Sequence, residues 1–120
     1  MSTRLLIIDD DVDLCCGLAD LLSEAGHTVE TASDGPDGLS KIEKDGYDVV
    51  LIDIKLPGMD GIEFLKHLRD RRPKARIFIM SGAPDAEERA AAGGVSDMIS
   101  GVIRKPFDID ALLEAVGGAS

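Results

Sequence analysis

Two short apolar runs end in carboxylates: Asp9 and Asp10 follow the first, in RLLIIDDD, and Asp53 closes the second, in YDVVLIDIKLPGMDG. If both runs are parallel strands, the three acids meet at one edge of a sheet. At about 4 Å and an effective dielectric of about 20, each such pair repels by about 4 kcal/mol. A cation must relieve that repulsion. A hard divalent ion suits the oxygens, because Mg2+ is held by one or two carboxylates, keeps several waters and works beside phosphate. Two further apolar runs deliver Ser81 and Lys105. A metal, a carboxylate nucleophile, a hydroxyl and an ammonium are the parts needed to put a phosphoryl group on an aspartate and hold it there. Singly, each residue has a plainer reading: Asp9, Asp10 or Asp11 as a helix cap, Ser81 as a loop hydroxyl, Lys105 as a solvated strand end. Their coincidence at four strand ends favours the site.

Positioning these groups calls for alternating elements. Strand-like runs over 4–8, 28–32, 49–52, 76–80 and 101–104 alternate with helical stretches, the pattern of an α/β domain with a mostly parallel sheet. The first helix is predicted over 12–25, stopped by Gly26 as a left-handed cap. The second starts after Ser33 or Asp34, with Pro36 in its first turn, and ends before Gly46. The third opens at Asp60 with Glu63 as a capping-box partner and closes before Pro73. The fourth begins near Pro84, with Asp85, Glu87 and Glu88 at the positive end of its dipole, and fails at Gly93 and Gly94. The fifth starts at Asp108 and carries Ile109, Leu112, Leu113 and Val116 as its apolar stripe. Between the fourth helix and the last strand, VSDMISG fits either an irregular loop or a short helical turn. In such a sheet, functional groups gather beyond the carboxyl ends of the strands, where strand order reverses.

Composition narrows the function. The 120 residues suit one domain, over 1–120, and 44 % hydrophobic with 30 % charged residues is globular composition. Thirteen Lys and Arg against 23 Asp and Glu give a net charge of −10, which repels a phosphate backbone, so no direct nucleic-acid binding is expected. No apolar run approaches the ~20 residues of a bilayer span, and the first residues do not form a signal peptide. A cytoplasmic protein without a membrane partner is expected. The adjacent Cys15 and Cys16 have neither metal-ligand nor disulfide spacing; helical periodicity puts Cys15 in the core and Cys16 on the surface. The cluster Arg69, Arg71, Arg72, Lys74 and Arg76 reads as cations gathered at a helix C-terminus rather than as a docking patch. Asp13, Asp34 and Asp60 read as surface or capping residues. His27 and His67 are expected to be exposed and inert, which assigns any phosphodonor histidine to another protein.

The strings IIDDD, LIDIKLPGMDG, IFIMSG and IRKPF stand in the order, and with nearly the spacing, of the receiver domain of two-component response regulators, and the chain resembles that family over essentially its whole length. The resemblance implies a doubly wound, flavodoxin-like α/β fold, with a five-stranded parallel sheet in the order 2-1-3-4-5 and five helices on its two faces. It implies Asp53 as phosphoacceptor, Asp9 and Asp10 as the acidic pocket, Ser81 as the switch hydroxyl and Lys105 as the lysine that contacts the phosphoryl group. It adds the backbone carbonyl of Lys55 to Asp9, Asp10 and Asp53 as metal ligands, with Asp10 coordinating directly and Asp9 through water. Mg2+ is the implied cofactor, with Mn2+ as a substitute. The implied partners are a sensor histidine kinase or histidine phosphotransfer protein, and an output partner that the sequence does not identify. The protein is then a signalling phosphoacceptor that promotes its own phosphorylation and dephosphorylation, not an enzyme in the ordinary sense. The resemblance also implies a cis peptide between Lys105 and Pro106.

Two features depart from the family pattern. An aromatic residue usually stands three positions before the lysine, and here it is Val102. The stretch from Ser81 to Lys105 is about two residues longer than the common pattern, with extra glycines, and the segment 93–101 is expected to be the most mobile part of the domain. Three alternatives compete. A metal-dependent phosphatase of haloacid dehalogenase type needs a second acid two residues after its nucleophile, where this chain has Lys55. A flavodoxin-type flavin module needs hydroxyls and amides in its first loop, where this chain has DDD, which repels phosphate. A degenerate receiver acting only as an interaction surface would have no need of the full residue set.

Overall fold

Alternation within the apolar runs assigns their side chains to two faces of one sheet. In the computed structural model, which describes residues 3–56, 58–71, 74–82, 84–105, 110 and 112–114, that division is complete. Leu6, Ile8, Val50, Ile52, Ile77 and Ile79 pack on one face with Phe64, Leu65, Leu68 and Ala90. Leu5, Ile7, Val49, Leu51, Phe78 and Met80 pack on the other with Cys15, Leu18, Leu22 and Leu112. Burial on both faces explains why these strands read as unbroken apolar runs.

The order is β1 Arg4–Ile8, α1 Val12–Glu24, β2 Thr28–Ala32, α2 Gly35–Lys44, β3 Val49–Asp53, α3 Gly61–Arg69, β4 Arg76–Ser81, α4 Ala86–Ala92, a 3-10 turn Ser96–Met98 and β5 Gly101–Arg104. A fifth helix follows, of which Asp110 and residues 112–114 are described; its expected start at Asp108, with Ile109, Val116 and the Lys105–Pro106 peptide, lies outside the described residues. All strands are parallel, in the order β2-β1-β3-β4-β5. The reversal therefore falls between β1 and β3, the two strands that end in the acids.

Local chemistry accounts for the helix ends. Asp11, Asp34 and Asp60 are N-caps, accepting the N–H of Leu14 at 3.1 Å, Asp37 at 2.8 Å and Glu63 at 2.8 Å. Gly26, at φ 96°, closes α1 in the left-handed conformation. Cys15 is buried and Cys16 exposed. The basic cluster is largely spent on intramolecular contacts: Arg69 donates to Gly94 O at 2.6 Å and Asp97 at 2.7 Å, Arg71 pairs with Glu43 at 2.5 Å, and Arg76 lies over Phe78.

One expectation needs correction: His27 is half-buried, and its Nδ1 is buried without a hydrogen-bond partner among the described residues. Of the two readings of VSDMISG, the short helical turn is the one formed, at Ser96–Met98. Val95 is fully buried, Arg69 ties down Gly94 and Asp97, and a Cβ on Gly93 would stand 2.4 Å from Ile62 Cγ2. Gly93 is needed for close approach to α3, not for freedom.

Candidate functional site

Register brings the acids together. Ile8 pairs with Ile52, so the residue after each, Asp9 and Asp53, emerges level at the carboxyl edge. Asp9 N–H continues the ladder to Ala32 O at 3.1 Å, and Ile54 N–H reaches Met80 O at 3.1 Å. At the other side of β4, Lys105 N–H donates to Ser81 O at 2.9 Å, which aims the lysine back across the strand ends. Asp9 is 1 % exposed, Asp53 8 % and Ser81 2 %, whereas Asp10 stands in solvent.

Lys105 Nζ donates to Asp9 Oδ2 at 3.1 Å and Asp53 Oδ2 at 3.4 Å, bridging the two buried carboxylates. Their remaining oxygens take backbone donors: Asp9 Oδ1 accepts Asp11 N–H at 3.0 Å, and Asp53 Oδ1 accepts Lys55 N–H at 3.2 Å. Behind them the Cys15 thiol donates to Asp9 O at 3.5 Å, and burial, then Asp9, push that thiol up to about 11. Burial also raises the Asp53 carboxyl above its ordinary value, helped by Asp9 and opposed by the Lys55 amide and Lys105. For Lys105, burial acts to lower the ammonium, but the bonds and charges of Asp9 and Asp53 outweigh it and hold the group above its usual value.

Oxygens of Asp9, Asp10 and Asp53 lie within 4.8 Å of one another. Ligands on opposite sides of an ion with bonds of about 2.1 Å stand about 4.2 Å apart, so a small closure lets this all-oxygen set hold a hard divalent cation. The structure thus assembles the expected groups, Asp9, Asp10, Asp53 and Lys105, with Ser81 on the adjoining strand end. Three contributors were not visible in the sequence: the Cys15 thiol beneath Asp9, the Lys55 amide on Asp53, and the close packing of Gly61 on Asp53 and Ile54. The PGMDG glycines hinted at the last, but as loop formers rather than as a packing constraint.

The chain is thus a doubly wound α/β domain with an acidic, lysine-bridged pocket at its switch point. Comparison with known proteins makes this specific: the chain belongs to the response regulator receiver domain family, whose model matches residues 5–117. It is 33 % identical over 113 residues to the transcriptional regulatory protein TcrA of Mycobacterium tuberculosis, covering 92 % of this chain and 43 % of that protein. It is 32 % identical to sporulation initiation phosphotransferase F of Bacillus subtilis, covering 97 % and 92 % of the two. The receiver domain of the Francisella response regulator 1452 superimposes with a TM-score of 0.87 at 31 % identity, covering 98 % and 96 %. The chain spans less than half the length of the transcriptional regulatory protein TcrA and the response regulator MprA that it matches. No helix among the described residues is long and apolar enough to cross a membrane.

Proposed function

We propose that residues 1–120 act as one receiver in which Asp53 takes a phosphoryl group from a histidine of a sensor kinase or phosphotransfer protein, in a reaction that requires Mg2+. One observation carries the reading: Asp53 stands at the switch point within a cluster of acids and in contact with the Lys105 ammonium. A carboxylate oxygen of Asp53 attacks phosphorus in line, the bond from phosphorus to the donor nitrogen breaks, and the imidazole leaves with its electron pair and gains a proton. Bound Mg2+ would neutralise the crowded acids and the incoming phosphoryl oxygens. Asp53, Asp10 and the Lys55 carbonyl would ligate it directly. Asp9, the most buried of the three acids, would serve through water, whereas the exposed Asp10 carboxylate has no hydrogen bond among the described residues to give up. Lys105 and Ser81 would hold the phosphoryl oxygens once transferred.

Neither intramolecular histidine is a suitable donor. His27 precedes β2, and His67 lies in the last turn of α3, so both sit toward the amino edge of the sheet. Phosphatase chemistry of the haloacid dehalogenase type has no support, since Lys55, not an acid, stands two residues past Asp53 and offers it a backbone amide. Phosphorylation with phosphoramidate, followed by mass and peptide mapping, tests the proposal. One phosphoryl group should appear on the peptide containing Asp53, and chelation should prevent it. Label on another residue, or undiminished labelling in chelator, would overturn the reading.

The crowded acids should also couple metal to stability. Mg2+ should raise the melting temperature by mass action. Asp10→Asn should raise the melting temperature of the metal-free protein, because it removes one repelling charge, while weakening Mg2+ binding. Calorimetric titration and thermal melts check both. A variant melting well below wild type in chelator, with its Mg2+ affinity intact, would contradict the assignment of Asp10.

A further inference from the structure

We infer that Gly61 is a positioning residue for the cation pocket, and that the missing side chain there, with Met59 packed beneath the middle of the loop, sets where the Lys55 carbonyl lies. The inference rests on the phosphoacceptor reading above. A Cβ on Gly61 would stand 2.8 Å from Ile54 Cα and 2.9 Å from the Asp53 carbonyl oxygen. Both neighbours are main chain, so no rotamer change relieves the contact. They belong to the residue that carries the acceptor carboxylate and to the one after it.

The loop between β3 and α3 is pinned at both ends. Its start is held by Lys55 N–H on Asp53 Oδ1 at 3.2 Å, and its end by Gly61 N–H on Ile54 O at 2.8 Å. Asp60 caps α3 through Glu63 N–H at 2.8 Å, which fixes the direction in which the helix leaves. A methyl group at position 61 must therefore lift α3 from the sheet or displace the Asp53–Ile54 peptide. Phe64, Leu65 and Leu68 of α3 are fully buried, so the helix resists. The strain falls on the peptide, and Lys55 moves with it. Misplacing a group by about 1 Å at such a site costs up to about a hundredfold in function.

The middle of the loop is held from another side. A Cβ on Gly35, at the start of α2, would lie 2.9 Å from Met59 Sδ. That neighbour is a flexible side chain, so the same addition there should be tolerated. Gly38 offers a contrast within the core, where a Cβ would meet Ile8 Cδ1 at 2.6 Å and Phe64 Cε2 at 3.3 Å without touching the loop.

Gly61→Ala, Gly38→Ala, Gly35→Ala and Met59→Ala would be compared by melting in chelator, by Mg2+ titration calorimetry and by phosphoramidate labelling at graded Mg2+. Gly61→Ala should weaken Mg2+ binding by about tenfold or more, the size of effect seen when groups that orient metal ligands are lost. Gly38→Ala should lose melting temperature but keep its Mg2+ affinity within about twofold, separating core damage from pocket geometry. Met59→Ala, which adds no atom, should weaken Mg2+ by a few-fold, and Gly35→Ala should match wild type. A folded Gly61→Ala with wild-type Mg2+ affinity overturns the inference. If Gly61→Ala does not fold, an unchanged affinity in Met59→Ala overturns it. Failure of the wild type to label at Asp53 would instead defeat the phosphoacceptor reading, and the Mg2+ affinities would still decide the role of Gly61.

Discussion

Asp53→Asn should take up no phosphoryl group under conditions that label the wild type fully, a fall in rate of more than about a thousandfold. The amide has no anionic oxygen to attack phosphorus, and the neighbouring acids are poorly placed to substitute. Asp9 is committed to Lys105 and the Asp11 amide, and Asp10 faces solvent. The same variant should reveal what the acceptor costs the fold. Burial raises the Asp53 carboxyl above its unfolded value of 3.8. Between those two values the folded state holds a proton that the unfolded chain has released, so stability falls as pH rises through the window and the deficit persists above it. Asparagine does not titrate. Measured in chelator, the melting temperature of Asp53→Asn relative to wild type should therefore be higher at pH 7 than at pH 3. Efficient labelling of the variant would remove Asp53 from its assigned role; a pH-independent difference would remove the strain argument but leave that role standing.

What the sequence made legible follows from the range over which each signal acts. Strand and helix positions were readable because burial on both faces leaves continuous apolar runs, and because the caps Asp11, Asp34, Asp60 and Gly26 act within three or four residues of themselves. Strand order was not readable from periodicity and came only through the family resemblance, since no local pattern says which strands are neighbours. Asp9, Asp10 and Asp53 could be placed together because each lies at, or within two residues of, the end of its strand. The segment after α4 could not be read. Its 3-10 turn depends on Val95 entering the core, on Gly93 meeting Ile62, and on Arg69 reaching Asp97, and the partners lie more than twenty residues away in α3. Glycines were read as freedom there, and packing is a tertiary fact that composition does not carry.

Lys105→Met should move metal binding and phosphorylation in opposite directions. In the metal-free protein the Lys105 ammonium is itself the counter-ion of the pocket, 3.1 Å from Asp9 and 3.4 Å from Asp53. Burial works against its charge, but the two carboxylates hold it protonated above its ordinary 10.5. The stabilisation from this pairing is complete at neutral pH and is lost only as pH rises through the elevated value. Methionine keeps much of the stem but leaves Asp9 and Asp53 facing each other unpaired, so in chelator at pH 7 the variant should melt below wild type. An incoming cation no longer meets a resident positive charge. One unit charge at about 4 Å is worth about 4 kcal/mol at a dielectric of about 20, and solvent screening reduces that to a gain in Mg2+ affinity of about tenfold. Transfer should nevertheless slow by about a hundredfold, because the donor that would meet the phosphoryl oxygens is gone. Calorimetric Mg2+ titration and phosphoramidate labelling at saturating Mg2+ separate the two effects. Mg2+ bound no more tightly than in wild type would show that the lysine does not compete for the acids, and the pocket would then need another account of how buried carboxylates tolerate its metal-free state.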